Sequence, residues 1–527
     1  MKNKRMSRWL PMLMVLMLVV LAGCQSVSGV DLNKVIQNSV STKSSQGTQT
    51  LTLELIRNSS AKLSDDEQRM LDLFSNVKLN ITDMRQQDAT HVSIKGAFEY
   101  NKGKIPFLMV MSEQDYIITV EGANKPIVLH NSVAAMDQIQ DQLSQEMKEQ
   151  IKQLYKKSAE MAPSFAAYFG GNLPNPKNIT IFDAREYVNN EGLNLKRIHA
   201  EIKGDELADL IKGFLTNLLK DEKGMKDILG QLYDLVLPLV QQAMKESKAQ
   251  GGSPMDDMIA PYLNNKTLAV EFAFTFLQTK LKELVDSYDQ SLQAALSSSN
   301  GGKGLQTLLS DKQYAKFDLY VDSDLMPRKS STEIMITVPD SADEAISGIK
   351  ITSTQDIWNI NKPVTVETIN TSGGLLEMNS LSKPSKILAA LDPKSQLYQL
   401  LKYDLHITKK QINLFMDDYS YDESTKPYIS HDVTMVPVRF VVEQLESDVA
   451  WDAATKQVTI TDPVSGAIIK LNVGSKQASV NGTIKSLETE AELTNGTTFV
   501  PVRFIAESMG AKVEWNQELK MVTITRD

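Results

Sequence analysis

The single cysteine, Cys24, ends the first apolar run of the chain and carries its only thiol. The run covers residues 9–22 and follows four basic side chains, Lys2, Lys4, Arg5 and Arg8. A basic start, a short apolar core and small residues before a cleavage point are typical of a secretory signal. The run is shorter than the ~20 residues that a membrane-spanning helix needs. We therefore expect a secretory signal at this end of the chain.

The stretch Leu21-Ala22-Gly23-Cys24 is similar to the lipobox of bacterial lipoproteins. This resemblance implies removal of residues 1–23 and thioether lipidation of Cys24, with palmitate-type acyl chains on the attached group. Several acyl chains hold a protein stably at a membrane, whereas one chain binds only marginally. Residues 24–47 would then be the anchor and tether of an extracytoplasmic protein on the cell membrane. The alternatives are a plain signal peptide with a chance cysteine, or an uncleaved anchor.

Composition excludes several functional classes. With one cysteine the chain forms no intramolecular disulfide and no thiolate metal site. Removal of residues 1–23 takes four cations and no acids, so the formal charge moves from −9 to −13. Nucleic-acid binding depends on clustered Lys and Arg, so an acidic surface argues against it. Apolar content of 42% with 23% charged residues is that of ordinary globular protein.

The remaining candidates for chemistry are weak. Two close carboxylates can hydrolyse glycosides, but such a site needs a deep cleft. The acidic cluster in the C-terminal region is better explained as a solvated loop: Asp417, Asp418, Asp422 and Glu423. Asp322-Ser323-Asp324 begins like a calcium loop, yet Pro327 stands where an EF-hand requires glycine. No serine-nucleophile elbow or phosphate-binding loop is present. We predict no catalytic residue, no metal and no cofactor.

The elements of residues 48–380 predict one α+β domain, called here the body. Leucines alternate with polar residues at 51, 53 and 55, and similar alternation recurs near 77–81, 92–98 and 105–111. This period of two indicates antiparallel strands with one wet face. Helical spacing follows from Met136 to Leu154 and from Asp205 to about Lys248, broken at prolines and glycines. Strand patterns return at 317–321, 333–338 and 349–353, so the sheet is predicted to combine both ends of the body.

This order of elements resembles the lipoprotein-carrier fold, the LolA-like and LppX-like half-barrels. The resemblance implies a curved sheet closed over helices, with acyl chains held between them. The apolar strand faces would then line a pocket for a lipid-like ligand. Otherwise they are core, which is the commoner fate of apolar residues at these spacings.

Residues 381–405 read as a linker or connecting helix, and a duplicated module is predicted over 406–527. The segment 431–461 aligns without gaps to 495–525, at an offset of 64 with 14 of 31 positions identical. Self-similarity at one fixed spacing indicates duplicated structural units. Each copy predicts a strand, a helix with a buried stripe, and a hairpin. Gly510 ends the second helix, and the first copy has Glu446 there, so that helix exit must differ or be strained.

The second copy resembles the copper-amine-oxidase N-terminal-like domain, or stalk domain, of Gram-positive envelope proteins. The resemblance rests on residues 498–515, TFVPVRFIAESMGAKVEW, and the first copy is a looser match. It implies a structural or binding module. Oxidase chemistry needs an Asn-Tyr-Asp/Glu tyrosine and three histidines, but the chain has no Asn-Tyr pair and its five histidines are scattered. No copper is expected.

The duplicated motif supplies the candidate site residues: Pro437, Arg439, Glu443, Trp451, Pro501, Arg503, Glu507, Gly510 and Trp515. Arg439/Glu443 and Arg503/Glu507 stand four residues apart on a helix, which predicts modest surface salt bridges. Recognition of a glycan or a protein partner is the alternative role. The tryptophans are expected to be half-buried core residues, with sugar stacking as the alternative.

Taken together, the sequence predicts a non-enzymatic, membrane-anchored envelope lipoprotein with a binding or structural role. Its expected partners are the membrane, through lipid on Cys24, and a lipid-like or cell-wall ligand. A solute-binding lipoprotein of a transporter is the first alternative, and it predicts two α/β lobes around parallel sheets. An envelope hydrolase is the second, and it requires a convergent polar cleft.

Overall fold

The computed structural model describes residues 29–130, 143–249, 251, 260–299, 301–339, 344–416 and 426–526. These residues form two compact units. The first unit lies within 1–117 and 130–369, and the second lies within 118–129 and 370–527. The sequence had assigned residues 118–129 and 370–380 to the body, whereas the structure includes both segments in the second unit.

The first unit is built on a long antiparallel sheet. The strands in chain order are β1 (Ser45–Arg57), β2 (Asn76–Gln86), β3 (Val92–Tyr100), β4 (Gly103–Met111), β5 (Asp115–Val120), β6 (Ile127–His130), β7 (Asn178–Val188), β8 (Glu191–Lys203), β9 (Tyr314–Val321), β10 (Pro327–Thr337) and β11 (Ile346–Trp358). Within the first unit they are arranged in the order β4-β3-β2-β1-β11-β10-β9-β8-β7. The unit boundary falls within β5 and near the end of β6.

The central pair of this sheet joins the two ends of the body. β1 and β11 are antiparallel partners from Gln46↔Trp358 to Arg57↔Ile346. Every other pairing from β4 to β7 in this order is also antiparallel. The predicted α+β class is confirmed, with an antiparallel half-barrel sheet, helical insertions and a separate C-terminal module of small sheets.

The helices of the first unit are insertions between strands. They are α1 (Leu32–Val40), α2 (Asp65–Phe74), α3 (Gln145–Asn172), α4 (Gly204–Lys220), α5 (Glu222–Ala249), α6 (Lys266–Leu296) and α7 (Gly302–Leu308). Capping hydrogen bonds define where helices begin, as at the start of α2. There the Ser64 hydroxyl accepts from the Glu67 amide at 3.3 Å, and the Glu67 carboxylate accepts from the Ser64 amide at 2.8 Å. No helix among the described residues is both long enough and apolar enough to cross a membrane.

Two predicted helix boundaries were wrong. The sequence pattern predicts a break at Pro163, whereas α3 continues through Pro163 to Asn172. The break between α4 and α5 is at Asp221, whose carboxylate accepts from the Gly224 amide at 2.9 Å, and Pro238 lies inside α5. The start of the helical pattern predicted from Met136 lies outside the described residues.

Short elements begin the second unit. They are β12 (Leu376–Glu377), a 3-10 turn (Met378–Leu381), α8 (Pro384–Ala389), α9 (Gln396–Gln399) and a π-helical turn (Leu400–Asp404). The region predicted as a linker or helix is therefore helical. Leu388, Leu391 and Tyr398 are buried there, with Ala123 packed against them. This segment has its own small core with residues 118–129.

The duplicated module follows. Its elements are β13 (Lys410–Phe415), β14 (Tyr428–Ser430), β15 (Val433–Pro437), α10 (Val438–Gln444), β16 (Asp448–Asp452), β17 (Gln457–Thr461), β18 (Ile468–Asn472), β19 (Gln477–Val480), β20 (Thr483–Ser486), β21 (Glu492–Thr494), β22 (Thr497–Pro501), α11 (Val502–Ser508), β23 (Lys512–Asn516) and β24 (Met521–Arg526). β15, α10, β16 and β17 repeat as β22, α11, β23 and β24 at the offset of 64, which confirms the predicted strand, helix and hairpin.

The two copies are related by a local two-fold axis. β15 and β22 pair antiparallel, and Val436 lies opposite Val500, its own counterpart at +64. Equivalent residues meet in this way only where the axis passes between them. Side chains from both copies pack into one hydrophobic core. Val441, Leu445, Ile505 and Met509, from the helical stripes, are buried in it as predicted.

Both helix exits use the left-handed conformation. Gly510 has φ +75°, and Glu446 adopts nearly the same backbone with φ +60°. The Glu446 carboxylate lies 2.7 Å from Lys410 Nζ and accepts from the Ser385 amide at 3.0 Å. The first exit therefore does not differ from the second. The strain of a side chain at positive φ is offset by these contacts.

We predict that Gly510→Ala destabilises the second unit by about 1–2 kcal/mol, since a left-handed residue with a Cβ costs that much. An added Cβ at Gly510 meets nothing within 4 Å, so the cost is one of backbone conformation alone. Gly373→Ala is the matched control, because that glycine also has open space and no positive φ. Chemical denaturation measures both variants; equal stability of the two would contradict the explanation.

Candidate functional site

A buried ion pair lies on the two-fold axis of the duplicated module. Arg526 Nη1 is 2.9 Å from Asp462 Oδ1, and these side chains are 3% and 0% exposed. The two residues are 64 positions apart, so they occupy the same place in the two copies. Arg526 also donates to the Leu445 carbonyl. The axis thus brings opposite charges together at equivalent positions.

Hydrogen bonds hold Asp462 in its charged form. Burial alone would raise the pKa of this carboxyl, but hydrogen bonds from Ser465 and Ser447 and the charge of Arg526 outweigh burial and lower it. The Ser447 hydroxyl donates to Oδ1 at 2.7 Å, and the Ser465 amide donates to Oδ2 at 3.1 Å. A buried carboxylate with these partners is a structural group that ties β17 to β24.

A second pair of equivalent positions also meets across the module. The Tyr428 hydroxyl donates to Glu492 Oε2 at 2.7 Å, and these residues too are 64 apart. Burial and the nearby Glu492 carboxylate raise the pKa of Tyr428 to about 12. Sequence reasoning missed both pairs. The signal was available, because each pair joins complementary side chains at the offset of 64, just outside the aligned block.

The motif prolines and arginines lie where the strands meet the helices. Pro437 and Pro501 are buried at the end of β15 and β22. Arg439 Nη1 is 3.2 Å from Glu443 Oε1, with both side chains more than half exposed, which confirms the predicted salt bridge in the first copy. In the second copy the prediction was wrong: Arg503 Nε is 4.0 Å from Glu488 instead of pairing with Glu507.

Trp451 and Trp515 are 40% and 39% exposed, so the expectation of half-buried core tryptophans was wrong. Each lies near the hairpin end of a five-residue strand, two residues beyond a valine that packs on the core, Val449 or Val513. Alternation places the tryptophan on the core-facing side, but the core ends before the strand does. The Trp515 indole N–H donates to Gln517 Oε1 at 2.7 Å.

Trp515 borders a cavity of about 620 Å³ within the second unit. Its apolar lining includes Val502, Val513 and Val522 from the second copy. Its charged and polar lining comprises Asp432, Thr434, Glu488, Arg503, Gln517 and Lys520. This volume falls within the ~300–1,000 Å³ typical of small-molecule sites. Two of the predicted site residues, Arg503 and Trp515, are thus brought to one cavity.

The sheet of the first unit presents a continuous apolar face. Alternate residues of a strand share a face, and Leu53 on β1 pairs with Val77 on β2 and Ile351 on β11. The same face continues outward through Leu79 and Phe98 to Ile105 on β4. In the other direction it continues through Ile334, Ala315 and Ile202, on β10, β9 and β8.

Cover over this face is uneven. At one end Leu207 and Leu210 of α4 are buried against Ile202, Ala315, Ile334 and Ile351. Leu32 and Val35 of α1 are buried against Ile198 and Val321. Across β1 to β4 most of the apolar side chains are only half-buried, and Leu51 is 36% exposed. A second cavity, of about 320 Å³, lies on the same face and includes Met84, Leu319 and Ile357 in its lining.

The histidines and the calcium-like loop do not form a metal site. His91, His130 and His199 each contact a different carboxylate. Among the described residues, no group of three or more His, Cys, Asp or Glu side chains is arranged to hold a metal ion. The Asp322 carboxylate is engaged by the amides of Asp324 and Met326 at 3.0 Å and by Arg328 at 3.3 Å.

Two predictions fall on undescribed parts of the chain. Cys24 with its signal segment, and the acidic cluster at 417–423, lie outside the described residues.

The family comparison concerns the C-terminal region. Residues 415–524 match the family of the copper amine oxidase N-terminal domain. That family is a non-catalytic domain, and the second unit thus contains a duplicated α+β domain of this type. A protease inhibitor of Brevibacillus choshinensis is 38% identical over 80 residues, which are 15% of this chain. The chain spans 24% of that relative's length.

We predict that Asp462→Asn destabilises the second unit by about 3–5 kcal/mol, because it leaves Arg526 buried without its counter-charge. The double change Asp462→Leu with Arg526→Met removes both charges, and we expect a smaller loss than for the single variant. Asp448→Asn, an exposed acid of the same copy, is the control. The double-mutant cycle consists of Asp462→Leu, Arg526→Met and the two changes together. Losses of stability that add up in this cycle would contradict the pairing.

The same pair predicts an acid dependence. The pKa of Asp462 is lower in the folded state than the ~3.9 of an unfolded Asp. Its contribution to stability is therefore full above about pH 4 and is lost as the pH falls through the folded-state value. Denaturation midpoints measured from pH 7 to pH 3 should fall less steeply in Asp462→Asn than in the wild type. Parallel curves would show that another group controls acid unfolding.

Proposed function

We propose that this chain is a non-enzymatic lipoprotein of the bacterial envelope, anchored through lipid on Cys24 to the extracytoplasmic face of the cell membrane. The body shelters a lipid-like ligand, and the duplicated module contacts the cell wall. The lipobox resemblance supports the anchor. The domain match at 415–524 supports the module, because this domain type is non-catalytic.

The observation that carries the proposal is the unevenly covered apolar face. α1 and α4 bury one end of it, whereas the strands β1 to β4 keep half-buried leucine, isoleucine, phenylalanine and methionine side chains. Exposed apolar area costs roughly 25 cal/mol per Å² relative to burial. A large, contiguous apolar patch therefore marks a binding site more often than a tolerated defect. Acyl chains match this face because they need no hydrogen-bond partners.

The other functions predicted from sequence are less well supported. A solute-binding lipoprotein of a transporter requires parallel sheets in two lobes, whereas the body sheet is antiparallel from β4 to β7. An envelope hydrolase requires paired carboxylates in a cleft. The carboxylates of the 620 Å³ cavity, Asp432 and Glu488, stand beside Arg503 and Lys520 in a mixed-charge rim.

The protease inhibitor that is similar to this chain over 80 residues favours a second candidate function, which is binding of an extracellular protease. Titration of secreted proteases with the purified protein distinguishes the two. Stoichiometric inhibition would favour the second candidate over wall contact.

We predict that residues 26–527, purified from bacteria and measured by native mass spectrometry, carry an added mass of several hundred daltons that organic solvent removes. Leu51→Asp should reduce the occupied fraction several-fold, because it introduces a charge on the apolar face. Thr52→Asp is the matched control, since the adjacent residue of β1 points to the opposite face. A clean apo mass that persists after incubation with lipid extract would refute the carrier role.

We predict that Cys24→Ser moves the protein from the membrane fraction to the soluble fraction, since it removes the acylated thiol. Metabolic labelling with a palmitate analogue, followed by fractionation, measures both properties. Label that survives in the variant, or unchanged membrane association, would refute the anchor at this position.

A further inference from the structure

We propose that the 620 Å³ cavity of the duplicated module is a binding site for a carboxylate-bearing saccharide, the chemistry of an acidic amino sugar in the wall glycan. This inference rests on the wall contact proposed above and gives that contact a location and a ligand class. The cavity is lined by residues of the second copy, by residues within 429–434, and by Met416 and Glu488.

Trp515 supplies an aromatic platform. Trp515 is 39% exposed and lines the cavity, and its indole N–H donates to Gln517 Oε1 at 2.7 Å. A tethered ring loses less conformational entropy when a ligand packs on it. The C–H face of a sugar ring is apolar and suits an indole face, while the valines of the cavity complete an apolar floor.

Arg503 supplies a carboxylate partner. Its Nε is 4.0 Å from Glu488, at the outer limit of an ion pair, and its side chain is 56% exposed. In the described part of the chain, neither terminal nitrogen of this guanidinium has a hydrogen-bond acceptor. A planar guanidinium binds a carboxylate through two parallel hydrogen bonds. Asp432 and Glu488 provide acceptors for the hydroxyl and amide donors of an amino sugar.

The first copy offers an internal comparison. Trp451 and Arg439 occupy the equivalent positions, but Arg439 is paired with Glu443 at 3.2 Å. Ala453 stands where the second copy has Gln517, so the first copy lacks the equivalent of this side-chain acceptor. Both copies therefore have the tryptophan and the arginine, whereas the Gln517 contact and the less engaged arginine belong to the second copy.

Isothermal titration of the full-length protein in detergent micelles tests the site. The probe is the disaccharide N-acetylglucosaminyl-N-acetylmuramic acid, whose lactyl carboxylate is free, and the neutral comparison is diacetylchitobiose. We expect Trp515→Ala and Arg503→Gln each to weaken probe binding about tenfold or more. The matched first-copy variants, Trp451→Ala and Arg439→Gln, should stay within about twofold of wild type. Arg503→Gln keeps the test decisive if Trp515→Ala folds poorly.

Three results would overturn the site: no heat of binding with the probe, equal effects in both copies, or equal affinity for the neutral sugar. Co-sedimentation with purified wall sacculi separates this inference from the proposed function. If wild type and all variants sediment equally while the probe does not bind, wall contact stands and the cavity site fails. If the probe binds but sacculi do not retain the protein, the site stands and wall contact fails.

Discussion

The buried contact between Asp462 and Arg526 constrains the whole duplicated module. Each residue lies at the same position of its copy, and the two-fold axis brings them within 2.9 Å. Two identical residues there would place like charges together in the interior, at a cost of several kcal/mol. The copies must therefore differ at this position. The counter-charge of each buried residue comes from the other copy, so the ion pair forms only when both halves are present.

The same axis explains why motif residues that both copies share make different contacts in each copy. Val436 and Val500 pair across it, and Tyr428 meets Glu492. Away from the axis the copies are free to diverge. Glu446 replaces a glycine at a left-handed helix exit because Lys410 and Ser385 engage its carboxylate. Arg503 and Trp515 border a cavity, whereas Arg439 is closed into a local salt bridge.

The sequence predicted those features that depend on local periodicity. Alternation with period two identified the strands of the body, and a fixed offset of 64 revealed the repeat and all four of its elements. Alternation also indicated the face of Trp451 and Trp515, but it cannot show where the core ends along a strand. The Arg503 contact with Glu488 and the unit boundary depend on tertiary neighbours. Pro163 was misread because proline inside a helix is disfavoured locally but tolerated in α3.

The central claim of the proposed function is that the apolar face across β1 to β4 holds a lipid-like ligand. Photo-crosslinking of the full-length protein with a diazirine-labelled phospholipid, followed by peptide mapping, tests it most directly. The account predicts adducts on peptides from residues 45–111, suppressed by excess unlabelled lipid. Adducts confined to residues 426–526, or labelling that excess lipid does not suppress, would contradict it.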